Sequence, residues 1–346
     1  MSSTIVSTTS RAKIPSLQNL ASWAFPHWIL WSAVLAIFGV NAVWIGLDSR
    51  ISIEPSWASG NIILTIIAFA LVAFRFFKPA KFDWFLHRLW CVLLYVLLSA
   101  VLTRNLQVFS HLLMSTNFPM ADDMLMVWDR ALGFDWLAYA KFVTASPPIT
   151  SILFFAYNQL TFSGLALVAV VLIAINNRVR AIEIVYLAVA TAIGCIVLSA
   201  PFPALATMHL LGDQELLGRL NIGTGVLHVE QLLAMRGNGT ILMSPDNMQG
   251  LISFPSYHTC MALIIGWCSR GHWTTATLGG LIALAILIGT PIFGGHYLVD
   301  VLAGAAITAC AIWFWRNKIE GRVTPYLADS DEYSLSLPKW IRRRLG

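Results

Sequence analysis

Eight apolar runs govern what this chain can become: residues near 27–47, 59–77, 89–112, 149–175, 181–200, 255–269, 276–294 and 297–315. A helix crosses the hydrocarbon core of a bilayer in about 20 residues, and in a few fewer where neighbours bury it. Charged residues make up only 11% of the sequence, against roughly 25% in a soluble domain. The expected fold is therefore all-α, a polytopic membrane protein of about eight transmembrane helices with the sixth the shortest. No soluble domain boundary, internal repeat or low-complexity tract interrupts it. The chain divides into an N-terminal tail over 1–26, a single membrane domain over 27–316 and a basic C-terminal tail over 317–346.

The net charge of +5 points to orientation in a membrane and not to nucleic acid. Of the 22 basic residues, 16 fall at the N-terminus, in every second loop and at the C-terminus: Arg11, Lys13, Arg75, Lys78, Lys81, Arg88, Arg178, Arg180, Arg270, Arg316, Lys318, Arg322, Lys339, Arg342, Arg343 and Arg344. The other side holds six, Arg50, Arg104, Arg130, Lys141, Arg219 and Arg236, in longer loops. Basic loops stay in the cytoplasm, so both termini are expected there. No stretch resembles a cleaved leader, and the first span is the expected export signal. A bacterial inner membrane is the expected location. The five cysteines lie within spans and read as small packing residues.

Two motifs place polarity where it is costly. Pro255-Ser256-Tyr257-His258 opens the sixth run, and Gly295-His296-Tyr297-Leu298-Val299-Asp300 opens the eighth. Ionisable residues at such positions are functional by default. His296 and Asp300, four residues apart, share one helix face. A carboxylate on one imidazole nitrogen leaves the other basic and aimed, which prepares a histidine nucleophile. His258 can then handle the proton of a leaving group. Arg270, between the sixth and seventh runs, puts both motifs on the extracytoplasmic face. Together they read as an intramembrane phosphoryl-transfer site.

Several neighbours are candidates for substrate binding. Ser256 offers a hydroxyl and nearby amides to phosphate oxygens, or equally caps its helix; Tyr257 stands beside it. Gly295 permits close backbone approach, and Tyr297 flanks the second histidine. Arg104 and Asn105, in the outer part of the third span, can meet a phosphate, or Arg104 can snorkel to the headgroup region. Tyr157 and Asn158, in the outer half of the fourth, can line the pocket. Two histidines and a carboxylate could also ligate zinc, but Gly294, Gly295, Tyr297 and Leu298 add no further ligand. No metal or other cofactor is expected. Two exterior loops are long. The first, about 113–148, carries Asp122, Asp123, Asp129 and Asp135, and its amphipathic stretch 123–142 predicts a helix at the outer interface. The second, about 202–254, leads into the first motif.

At Phe254-Pro-Ser-Tyr-His258-Thr and at Gly294-Gly-His296-Tyr-Leu-Val-Asp300-Val-Leu-Ala-Gly304 the chain resembles the type 2 phosphatidic acid phosphatase superfamily. Its Pro-Ser-x-His motif maps onto Pro255 to His258, and its His-x3-Asp onto His296 and Asp300, within core motifs spanning 254–304. The resemblance implies a nucleophilic His296 oriented by Asp300, with His258 protonating the leaving alkoxide. The wider superfamily places Ser-Arg where this chain has Gly289 and Thr290, and its upstream Lys-x6-Arg-Pro element is missing. In lacking both it is similar to the branch of inositol phosphorylceramide and sphingomyelin synthases, as is the stretch Asp129-Arg-Ala-Leu-Gly-Phe-Asp-Trp136. That branch passes a phosphorylated headgroup from a phospholipid to a second lipid alcohol. The implied activity is metal-independent lipid phosphotransfer, with lipid phosphate hydrolysis as the alternative. A lipid transporter or scramblase is the rival of another class, and would want polar residues at mid-membrane.

Overall fold

The computed structural model describes residues 17–77, 84–174, 177–220, 224–237, 239–244 and 250–328. The basic residues Arg11, Lys13, Lys78, Lys81, Lys339, Arg342, Arg343 and Arg344, and the loop residues Pro245 to Asn247, lie outside them. Three long helices open the chain: α1 (Leu17–Leu47), α2 (Pro55–Phe77) and α3 (Trp84–Met114). Two short ones follow, α4 (Asp122–Ala131) and α5 (Trp136–Thr144). Then come α6 (Pro147–Phe155) and α7 (Thr161–Ala174), continuous through a π-helical turn at Ala156–Leu160, and α8 (Arg178–Ser199). The second long loop folds into α9 (Thr207–Leu211), α10 (Gln214–Leu220) and α11 (Thr224–Arg236). Helices α12 (Tyr257–Cys268), α13 (Trp273–Phe293) and α14 (Leu298–Phe314) complete the bundle. A second π-helical turn, Trp315–Ile319, joins α14 to α15 (Glu320–Ala328).

Among the described residues, five helical stretches are long and apolar enough to cross a membrane: Tyr95–Met114, Pro147–Ile173, Val179–Ser199, Trp273–Phe293 and Leu298–Thr324. Ser32–Leu47, Pro55–Leu71 and Tyr257–Cys268 are apolar but shorter. The protein is thus a multi-pass membrane protein. Helix α13 shows why such a sequence needs lipid. Gly279, Ala283, Ile286 and Thr290 on one side are buried, while Leu278, Leu281, Leu284 and Ile288 on the other are exposed. An apolar stripe that long, facing outward, is stable only against hydrocarbon.

Helix α12 is the hub, packing against α7, α8, α13 and α14. It comes close to α14 because residue 304 is glycine: a Cβ there would collide with the Ser256 carbonyl oxygen. Cys195 and Cys260 meet sulfur to sulfur at 3.6 Å between α8 and α12, and Cys268 is buried as well. Among the tryptophans, Trp57 and Trp315 are buried in helix packing, whereas Trp273 and Trp313 are exposed.

The two long loops depart from expectation. In place of a single helix over 123–142 there are two, because Gly133 takes a left-handed conformation (φ 73°) and Asp135 starts α5 by accepting from the Ala138 amide. A β-branched or bulky residue would resist that turn; glycine does not. The all-α expectation also meets one small exception. Ile51–Ile53 (β1) pairs in parallel with Ile241–Met243 (β2), tying the loop after α1 to the second long loop over a core of Trp57, Leu112, Leu232 and Leu251.

Candidate active site

The start of α12 builds the first half of the site. Ser256 adopts extended backbone and its Oγ accepts from the Thr259 amide at 3.4 Å. Its own amide donates to the Asp300 carbonyl at 3.0 Å. Ser256 is fully buried, so its hydroxyl serves as a helix cap, meeting one of the donors a helix start leaves open. Tyr257 turns away: its hydroxyl donates to the Ala188 carbonyl of α8 at 3.1 Å. His258 faces the other way. Its Nδ1 lies 3.1 Å from the Tyr157 hydroxyl, and the two rings stack at 4.3 Å with 22° between their planes. Tyr157 comes from the π-helical turn between α6 and α7. Such turns shift the register of a helix and often occur at functional positions.

The start of α14 builds the second half. His296 Nδ1 is 3.1 Å from Asp300 Oδ2. The same oxygen accepts from the Tyr297 amide at 2.9 Å and from the Ser253 hydroxyl at 3.0 Å. Asp300 is fully buried and His296 nearly so. A carboxylate only accepts, so Nδ1 carries the proton and the Nε2 lone pair stays available. The two histidine rings stand 6.3 Å apart, centroid to centroid. Gly294 makes this closeness possible. A Cβ there would come within 2.6 Å of the Tyr157 hydroxyl and 2.9 Å of His296 Nε2. Gly295 has φ 61°, and its carbonyl accepts from the Thr207 amide at 2.8 Å. It docks the second loop onto the turn.

Two aspartates that carried no assigned role in the sequence hold α14 in place. Asp129 accepts from the Leu298 amide at 2.9 Å and the Val299 amide at 3.0 Å. Those are first-turn donors that the helix itself cannot satisfy. Asp122 accepts from the Tyr297 hydroxyl at 2.9 Å and from the Leu205 amide at 3.1 Å. The two lie on one face of α4 with Leu125 between them, all three buried. Burial pushes both carboxyls above the ordinary range, and these hydrogen bonds pull them partly back. Tyr297, buried at the head of α14, is thus an anchor to α4. The seven-residue spacing of Asp122 and Asp129 in an amphipathic stretch was the available signal.

The remaining candidates sit with other elements. Asn105 is buried; its Nδ2 donates to Val101 and its carbonyl accepts from Asn41 of α1. Arg104 lies against α2, its Nη1 3.7 Å from where a Cβ on Gly60 would stand. Asn158 donates to the Phe154 carbonyl at 3.1 Å. Arg236 ties α11 to the Thr116 and Phe118 carbonyls. Among the described residues no three His, Cys, Asp or Glu side chains cluster as metal ligands.

The arrangement offers one imidazole with a free nitrogen and an orienting carboxylate, and a second imidazole held by a phenol across a short gap. That is equipment for covalent transfer with proton handling. No curated protein and no solved structure matches the chain. A family model described as PAP2 superfamily does match, over residues 123–314, a stretch running from α4 with its Asp129 through both histidines to the end of α14. With more than half of its length so matched, the chain belongs to the PAP2 superfamily.

Proposed function

We propose that the protein moves a lipid-linked phosphoryl group through a phosphohistidine on His296, with a second lipid alcohol as the usual acceptor. Membership of the superfamily points to phosphatase- or phosphotransferase-type chemistry on lipid phosphates in the membrane. The observation that carries the finer reading is the pair of imidazoles 6.3 Å apart, one bound by Asp300 and the other by Tyr157.

In the first step His296 Nε2 attacks phosphorus in line. The P–N bond forms as the P–O bond to the donor lipid breaks, and His258 gives its proton to the departing alkoxide. In the second step the acceptor hydroxyl loses its proton to His258 and its oxygen attacks phosphorus, and the P–N bond breaks to return neutral His296. Asp300 keeps the imidazole in the right tautomer and offsets the charge it gains. The helix start of α12 favours the charge that develops on the phosphoryl oxygens.

Position 290 favours a diester donor over a monoester. The superfamily's arginine would stand there, but Thr290 is fully buried and bonds the Ile286 carbonyl at 2.7 Å. A diester carries about one charge where a monoester carries roughly 1.5 to 2, so fewer clamping cations are required. A headgroup transferase similar to inositol phosphorylceramide synthases fits that economy. A lipid phosphatase is the second reading, distinguished only by water as acceptor.

The test supplies purified protein with a phospholipid labelled at phosphorus and a lipid alcohol, and follows both products and acid-labile label on protein. His296→Ala is expected to abolish the labelled intermediate. His258→Ala should slow turnover about 10²- to 10⁴-fold while still forming the intermediate from a donor with a good leaving group. Near-normal turnover in His296→Ala overturns the nucleophile assignment. Inorganic phosphate released from a monoester, indifferent to added alcohol, overturns transfer in favour of hydrolysis. Loss of activity with a chelator and its return with zinc overturns the metal-free scheme.

A further inference from the structure

At the end of the bundle remote from the histidines, Asn177, Val179, Arg180, Trp267, Arg270, Arg316 and Glu320 line a cavity of about 540 Å³. The continuous helix from Leu298 through α14 to Arg316 in the second π-helical turn is roughly 27 Å long at about 1.5 Å per residue. That is close to the hydrocarbon thickness of about 30 Å, so this cavity and the catalytic turn belong to opposite membrane surfaces.

Its charges are built, not scattered. Arg270 is committed: its Nη2 pairs with both oxygens of Glu183, at 3.0 and 2.8 Å, and Glu183 is almost fully buried. Trp267 Nε1 donates to the same carboxylate at 2.8 Å, and the Arg270 guanidinium lies 4.2 Å from the Trp267 ring centroid. Arg180 is held by donating to the Arg270 carbonyl. It passes over Gly271, which has φ 117° and where a Cβ would stand 2.5 Å from Arg180 Nη1. Arg316, set by the second π-helical turn, approaches the Trp267 ring from 5.9 Å and makes no hydrogen bond or ion pair among the described residues. The first turn of α8 opens here too, its Asn177 cap accepting from the Arg180 amide; a helix start favours an anion.

Three guanidinium groups thus meet two carboxylates, one of which is consumed by Arg270. The surplus is about one positive charge, with Arg180 and Arg316 still holding unused donors. From this we infer that the cavity binds a singly charged phosphate group, that of an anionic phospholipid headgroup in the leaflet opposite the catalytic turn or a free phosphate ion of the same charge. Guanidinium groups match phosphate oxygens in pairs, and Trp267 supplies the flat apolar floor.

The experiment weighs purified full-length protein by native mass spectrometry after exposure to phosphatidylglycerol, phosphatidylcholine or inorganic phosphate. The protein is expected to retain phosphatidylglycerol over phosphatidylcholine. Arg316→Gln should retain one molecule fewer per chain and bind about tenfold more weakly, the loss expected for one charged hydrogen-bond pair. Glu320→Gln removes the one carboxylate lining the cavity and should bind more tightly, a gain that misfolding cannot imitate. The same differences should persist in His296→Ala, which separates this cavity from the catalytic end. Stabilisation by inorganic phosphate alone, lost in Arg316→Gln, would assign the site to the free ion and keep the chemistry. Equal retention of phosphatidylglycerol by the parent and both cavity variants, or equal retention of phosphatidylcholine, overturns the inference.

Discussion

A methyl group at position 294 would meet the Tyr157 hydroxyl and the Nε2 edge of His296 at once, at 2.6 and 2.9 Å. The neighbours there are a ring locked by stacking and a ring locked by a carboxylate, so neither yields cheaply. Gly294→Ala is expected to reduce turnover by more than about tenfold, since sub-ångström misplacement of reacting groups is enough for that, while thermal melting stays close to the parent. Unchanged turnover would mean the imidazoles have more room than the geometry allows. Tyr157→Phe keeps the stacked ring and removes only the hydroxyl on His258 Nδ1. Its rate should fall about tenfold, and the deficit should shrink with donors whose leaving group needs no proton. A deficit independent of the leaving group would place Tyr157 outside the proton path. The place of His258, His296 and Asp300 at helix starts was legible because each motif opens an apolar run. The partners of Arg104 and Asn105 were not legible, because a polar residue in a span announces its depth but not the face it turns.

At the scale of elements, the start of α14 depends on α4. Asp129 takes up two first-turn amides, so Asp129→Ala strands two partly buried donors, each costing at most about 1–3 kcal/mol. The expected loss is about 2–4 kcal/mol in denaturant unfolding of the detergent-solubilised protein, with activity falling in step as α14 frays. Asp129→Asn can accept from only one amide well and should lie between. A variant as stable as the parent would show that the clamp is incidental. The pairing itself was not visible along the chain: donor and acceptor are separated by 169 and 170 residues, and the amphipathic pattern of 123–142 signals a buried face without naming what it meets. The break at Gly133 was likewise hidden, because a lone glycine in an amphipathic stretch reads as a weak helical residue until its positive φ is known.

On the scale of the whole molecule, the apolar runs made a multi-pass bundle plain, and the partition of basic residues supplies an orientation that can be tested directly. Asp123 is exposed on α4, beside the turn that carries His296. Asp123→Cys is expected to react with a membrane-impermeant thiol reagent in intact cells, and labelling that waits until the membrane is broken would reverse the orientation. The α4 clamp also has a meaning in time. A ribosome delivers Asp122 and Asp129 long before the amides and hydroxyl they accept, and it delivers His258 before His296 exists. The histidine pair therefore exists only once synthesis has passed position 296, and a chain halted between His258 and His296 holds the first of the pair and no partner for it.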